Sequence, residues 1–207
     1  MLPKNRQGLY SGRTLIVRDG CGMENRNRCS WCNVRNPLYV HYHDHEWGKP
    51  DFSEQHLYEM LILESFQAGL SWECVLNKRE AFIKAYDSFD LNRVTEYGEE
   101  KIGELMGNPE IIRNRRKIAA SIRNSRVFKA ITDEYGSFSR YLHTFTGGKT
   151  LYETGKTTNS LSDAISKDLK KRGMTFVGSV IIYAYLQAIG VIDSHDEGCW
   201  LHRGKTE

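Results

Sequence analysis

The chain has 207 residues, 40% of them hydrophobic and 27% charged, with a formal net charge of +3. That length and composition suit one folded domain with a sizeable core and exclude disordered and collagen-like chains. No apolar run reaches the ~18 residues of a membrane span: the longest, Val177 to Val191, is broken by Gly178, Gln187 and Gly190. The first residues are basic and lack an apolar stretch, so no signal peptide is read and the cytoplasm is the expected compartment. Cys21, Cys29, Cys32, Cys74 and Cys199 make an odd set. In a reducing compartment a subset of them suits metal binding better than disulfides.

Residues 1–20 are basic and Gly-rich without periodicity, and read as a flexible N-terminal extension ahead of a single domain over 21–207. From Asp51 onward the pattern is helical. Asp51 and Glu54 suggest a capping box for a helix running to about Phe66, with Leu57, Met60, Leu61 and Glu64 on one stripe. After a break at Gln67 to Leu70, Ser71 caps a second helix whose stripe is Trp72, Val75, Leu76, Arg79, Phe82 and Tyr86. Asp90 caps a short helix over Leu91 to Tyr97, and another spans 99–106 before Gly107-Asn-Pro109. A longer helix is predicted from about Ile111 to Phe128 and a short one over Phe138 to Leu142. Residues 145–159 read as a loop. Ser162 to Lys171 and Gly178 to Ala188 give the last helices, with Gly190 as the residue after the final cap. No alternating run is long enough for a sheet, so the expected class is all-α.

Four constellations carry chemistry. Cys29, Cys32, His41, His43 and His45 lie near the start of the domain, and His195-x3-Cys199 near its end. Four Cys or His ligands make a closed structural zinc site, which would clip the termini together. Spacing alone leaves more ligands than one zinc needs. Glu64 sits on an apolar stripe, where a carboxylate costs several kcal/mol unless it finds a partner. It is either a helix-end acid reaching solvent or a pocket carboxylate awaiting a ligand. Trp31, Tyr39, Tyr42, Trp47 and Trp72 cluster around the same segments, as core or as stacking surfaces for a flat cation. Arg113, Arg115, Arg116 and Lys117 open a helix, a good phosphate site, and Lys167, Lys170, Lys171 and Arg172 form a second basic group.

Taken together, Pro37-Leu-Tyr39, Tyr42-His-Asp44, Glu46-Trp-Gly48, Leu63-Glu64, Gln67-Ala-Gly-Leu-Ser-Trp72, Ile111-Ile-Arg-Asn-Arg115, Leu169-Lys-Lys-Arg-Gly173, Phe176-Val-Gly178 and His195 with Gly198-Cys199 resemble the DNA-3-methyladenine glycosylase I family. The order and spacing agree over about residues 27–200. The resemblance implies a compact helical bundle of helix-hairpin-helix type whose termini are clipped by one structural zinc. The zinc ligands fall on Cys29, His43, His195 and Cys199. Cys32 is the alternative first ligand, but Cys29 keeps the family's Cys-x-Trp relation. The base-recognition carboxylate falls on Glu64 and the pocket aromatics on Tyr42, Trp47 and Trp72. Leu70 is the expected wedge, and Arg113, Arg115 and Lys117 are the expected DNA contacts beside a hairpin over about Gly107 to Arg113. Glu110 stands where some members have Gly. The implied activity is monofunctional excision of 3-methyladenine from alkylated double-stranded DNA, by a monomer with no membrane association.

Overall fold

Asn36 and Pro37 start the first element: the Asn36 side chain accepts from Leu38 N, and proline occupies a first-turn position where no N–H is missed. The computed structural model describes residues 26–203, so Cys21 and the extension read over 1–20 lie outside the described residues. In chain order the helices are α1 (Pro37–His45), α2 (Glu54–Gln67), α3 (Trp72–Leu76), α4 (Arg79–Ala85), α5 (Leu91–Thr95), α6 (Glu99–Gly107), α7 (Arg115–Tyr135), α8 (Phe138–Thr146), α9 (Ser160–Lys171) and α10 (Ser179–Ala188). A 3-10 turn at Asp87–Phe89 follows α4. Two short strands, β1 (Leu151–Tyr152) and β2 (Ile192–Asp193), pair in parallel. Among the described residues the all-α reading therefore holds apart from this one two-residue pair.

At the centre lies α2, packed against α3, α7, α8 and α10. Leu57, Tyr58, Met60, Leu61, Ile62, Leu63, Glu64, Ser65 and Phe66 are all buried. The helix is buried nearly all round rather than along the single expected stripe, as its run of large apolar residues requires. Its start also differs from expectation. Asp51 Oδ1 accepts from Ser53 N and Oγ, while Glu54 reaches away to accept from Phe138 N and Ser139 N at 2.8 and 3.0 Å. The carboxylate thus caps the N-terminus of α8 and not its own helix, a long-range contact that local pattern does not announce.

Other boundaries follow local chemistry. Ser71 accepts from Cys74 N and starts α3, but the predicted single helix divides at Asn77-Lys78 into α3 and α4. Asp90 caps α5 as expected. The long helix starts at Arg115, later than predicted, because Asn114 accepts from Lys117 N and leaves Ile111 buried in the preceding turn. It ends at Gly136, whose φ of +80° closes it.

Close approach of two segments distant in sequence builds the platform for the site. Gly48 N donates to Gln187 O at 3.0 Å and Asp51 N to Ile189 O at 3.3 Å, so the segment after α1 lies along the end of α10. Gly190 has φ +73°, and a Cβ there would sit 2.3 Å from both the Lys49 carbonyl carbon and the Pro50 nitrogen. Only glycine meets both demands. Gly190→Ala is expected to destabilise the fold by more than about 1 kcal/mol, read as a lower denaturation midpoint in urea; an unchanged midpoint would show that the two segments are not pressed together.

Candidate base pocket and metal centre

Residues 170 positions apart meet behind α1. The Sγ atoms of Cys29 and Cys199 and a ring nitrogen of His43 lie within 4.8 Å of one another, and all three residues are buried. The His43 Nε2 to Cys199 Sγ distance is 3.4 Å. His195 stands beside them, its ring centroid 5.4 Å from that of His43 and nearly perpendicular to it. Cys32, the alternative first ligand, is outside the group: its Sγ lies 3.9 Å from Tyr39 O. Burial pushes the Cys32 thiol up to about 11.

The chemistry of the donors, Cys29, His43 and Cys199 with His195 beside them, suits a zinc ion. His43 Nδ1 lies 2.8 Å from Asp44 Oδ1 and His195 Nδ1 lies 2.7 Å from Asp193 Oδ1. With Nδ1–H donated to a carboxylate, each ring presents its Nε2 lone pair inward, the arrangement that orients metal-binding histidines. His195 Nε2 is buried with no protein partner, a cost that a metal bond would remove. Backbone N–H groups of Asp196 and Leu201 point at Cys29 Sγ and Cys199 Sγ, at 3.3 and 3.4 Å, and would stabilise thiolates. Arg28 clamps Asp44 through two bonds of 2.8 and 2.7 Å. Burial raises the Asp44 carboxyl, but Arg28 and His43 outweigh it and bring its pKa down to about 2. Gly48 faces the site: a Cβ there would lie 2.7 Å from His195 Cε1.

Trp47 joins this centre to a cavity. Its ring meets His195 and Trp31 edge-on, both at 4.7 Å between centroids. Trp31 in turn packs on Tyr39 at 5.2 Å, and Tyr42 on Trp72 at 5.3 Å. These five aromatics, with Glu64, Gln67 and Ser194, line a cavity of about 260 Å³, room for one nucleobase. Trp31 and Tyr39 thus stand in the same wall as Tyr42, Trp47 and Trp72.

Glu64 lies at the end of the buried helix, 2% exposed. Its Oε2 has no partner, and neither do Gln67 Oε1 and Trp72 Nε1. Among the described residues, the buried side-chain polar atoms left without partners are these three and His195 Nε2. Burial alone pushes the Glu64 carboxyl well above its ordinary range. The cavity therefore offers two acceptors and one donor between aromatic faces. It suits a flat ligand with N–H groups, and a positive charge on that ligand would draw the proton off Glu64.

The expected DNA-facing residues divide. Leu70 is 41% exposed at the tip of the turn after α2, beside Gly69 with φ +77°. Arg113 is exposed in the turn between α6 and α7, and Arg115 pairs with Glu99 from the exposed surface. Lys117 differs: it is buried, and its ammonium donates to Phe66 O and Ala68 O at 2.8 and 2.6 Å. It neutralises the C-terminal carbonyls of α2 and is not available as a phosphate contact. A lysine in a basic run gives no sign of which carbonyls lie beneath it.

Comparison with known proteins agrees with this geometry. A family model described as methyladenine glycosylase matches residues 31–202. The chain belongs to the methyladenine glycosylase family. It is 41% identical over 184 residues to DNA-3-methyladenine glycosylase 1 of Escherichia coli (strain K12), covering 86% of this chain and 97% of that protein. It is 36% identical over 178 residues to the DNA-3-methyladenine glycosylase of Haemophilus influenzae, covering 83% and 96%. Among solved structures, a crystal structure of 3-methyladenine DNA glycosylase I superposes with a TM-score of 0.81 at 40% identity, covering 86% of this chain and all of that one. A structure of the Staphylococcus aureus enzyme, described as showing the basis of 3-methyladenine recognition, gives 0.80 at 34% identity, covering 84% and 95%.

In this methyladenine glycosylase-family chain, sequence reasoning missed several lining residues. Gln67 stood inside a quoted motif but read only as a helix break. Gly155 and Lys156 sit in the segment read as a plain loop, and Ala184, Gln187, Ser194 and Asp196 come from α10 and the turn after β2. Nothing local marks them, because they reach the cavity through tertiary packing.

The raised Glu64 carboxyl has a consequence for stability. A carboxyl whose folded pKa exceeds its unfolded one stabilises the fold below the unfolded value, and that contribution is lost as pH rises through the folded value. Glu64→Gln should therefore melt higher than the wild type at pH 8, and the gap should close as pH falls towards about 4. A gap that stays constant over that range would mean the carboxyl is not desolvated.

Proposed function

We propose that this protein excises 3-methyladenine from alkylated double-stranded DNA, acting as a monofunctional base-excision repair glycosylase. The observation that carries the reading is the aromatic cavity with the partnerless carboxyl of Glu64 at its floor. The relatives named above are 3-methyladenine DNA glycosylases over nearly their whole length, and the mechanism follows from the cavity.

A base inside a duplex is out of reach, so the target nucleotide must be flipped into the cavity. Leu70 is the wedge in this reading: an exposed apolar tip on the turn between Gln67 and Trp72, which both line the cavity, suited to the gap the base leaves. Arg113 contacts the phosphate backbone beside the turn between α6 and α7, a helix-hairpin-helix arrangement. Arg115, paired with Glu99, would have to exchange that partner for phosphate. Tyr42, Trp47 and Trp72 stack on the base. Glu64 accepts from its N–H groups and favours its positive charge, releasing the carboxyl proton as the cation enters.

Methylation at N3 makes adenine cationic while it is still joined to the sugar. Water attacks C1′, the C1′–N9 bond breaks, its electron pair passes to the base, which leaves neutral, and the attacking water gives up one proton to solvent. Neutral adenine lacks that charge and gains less from the carboxyl and the aromatic faces, so selectivity rests in the cavity. No lysine is needed as a nucleophile, and the chemistry stops at the abasic site.

Cys29, His43, His195 and Cys199 would hold one zinc ion, whose part is structural: with four protein ligands it has no open position for a substrate. Held there, it would tie the segments bearing Cys29 and Cys199 to Trp47 in the cavity wall. Among the described residues no helix is long and apolar enough to cross a membrane, and the reading is of a monomer acting in the cytoplasm.

Incubating the protein with methylated DNA and separating the released bases tests the activity. Wild type should release 3-methyladenine, and Glu64→Gln should release it about 100-fold more slowly; equal rates would remove Glu64 from the reaction. Leu70→Ala should lose more activity on duplex than on single strands, and an equal loss on both would refute the wedge. Cys199→Ser should lose zinc and melt at lower temperature, whereas Cys32→Ser should keep its zinc by elemental analysis.

A further inference from the structure

The loop between β1 and α9 contributes to the base cavity through two residues, Gly155 and Lys156. Both are exposed to solvent as well as lining the cavity, so they form part of its rim. The Lys156 side chain is 55% exposed. It is nevertheless held in place: its Nζ donates to Glu153 Oε2 at 2.7 Å, and Glu153 Oε1 accepts from Asn159 Nδ2 at 2.5 Å. Asn159 also caps α9, accepting from Ser162 N. At the other end of the loop, Leu151 and Tyr152 are paired with Ile192 and Asp193. The rim segment is thus tied to a strand on one side and to a helix cap on the other.

An ammonium at this position is a poor match for the base. The ligand of the cavity is itself cationic in the glycosylase reading, and a second positive charge nearby disfavours it. The flipped nucleotide brings a suitable partner, however. With the base seated against Glu64, its sugar lies towards the mouth, with one phosphate on each side. Gly155 has φ +71°, and no heavy atom lies within 4 Å of where its Cβ would be. That leaves bare backbone beside the amine, where a sugar–phosphate chain can approach closely.

We propose that Lys156 is a phosphate-binding residue for the flipped nucleotide, held on the cavity rim by Glu153. It anchors the backbone of the nucleotide whose base is being read and does not read the base. This proposal rests on the glycosylase reading of the same cavity.

Two binding measurements test it on full-length, zinc-loaded protein. The first is affinity for a duplex carrying a tetrahydrofuran abasic analogue, measured across a series of salt concentrations. The second is affinity for free 3-methyladenine. Loss of one phosphate contact flattens the plot of log K against log salt by about 0.9. Lys156→Ala should show that change and weaker duplex binding, with free-base affinity undiminished, and Lys156→Arg should restore the wild-type slope. An unchanged slope in Lys156→Ala overturns the proposal, as does a loss of free-base binding in that variant. Wild-type protein that fails to bind 3-methyladenine overturns the cavity reading itself and this proposal with it, a result distinct from failure of the lysine alone.

Discussion

A buried carboxyl without a protein partner is the constraint on which the rest of this structure depends. Glu64 lies near the end of a stretch of α2 in which nearly every side chain is buried, and its buried Oε2 finds no protein partner. A charged group there is unfavourable by several kcal/mol. Burial favours the neutral carboxyl there, which is the direction in which its pKa is displaced. A well-packed apolar residue would make a more stable protein. The carboxyl makes sense as an unmet demand that a cationic, hydrogen-bonding base can meet.

The surrounding elements serve that demand in two ways. Some exclude water: Tyr42 and Trp72 press together over one side, and Trp31, Tyr39 and Trp47 close another. Others fix the end of α2. Lys117 reaches from the first turn of α7 to the last carbonyls of α2, at the point where the helix gives way to the turn bearing Leu70. Its ammonium holds the end of α2 and the turn that follows it in place.

The cluster of Cys29, His43, His195 and Cys199 stands behind Trp47, not in the cavity mouth. Its two carboxylate-held histidines and two backbone-facing sulfurs suit a permanently occupied site. An ion held there would link the segments bearing Cys29 and Cys199 to the pocket wall through His195 and Trp47. Gly48 and Gly190 are part of the same design, since a side chain at either would push the joined segments apart.

Much of this was legible in the sequence. The helical class followed from hydrophobic spacing, and the caps at Ser71 and Asp90 followed from side chains that bond within a few residues of themselves. Glu64 stood out because an acid on an apolar helix is a local anomaly. The tandem motifs from Tyr42 to Gly48 and from Gln67 to Trp72 identified the family, since such runs are too long to arise by chance. Tertiary structure decided whatever depends on distant partners. Glu54 left its own helix to cap α8, Lys117 turned inward, Cys29 and not Cys32 joined the cluster, and Lys156 reached the cavity rim from a loop without pattern. The physical reason is the same throughout. Periodicity and capping act over one or two turns of chain, whereas the fate of a long polar side chain is set by whichever groups packing brings within about 3 Å of it.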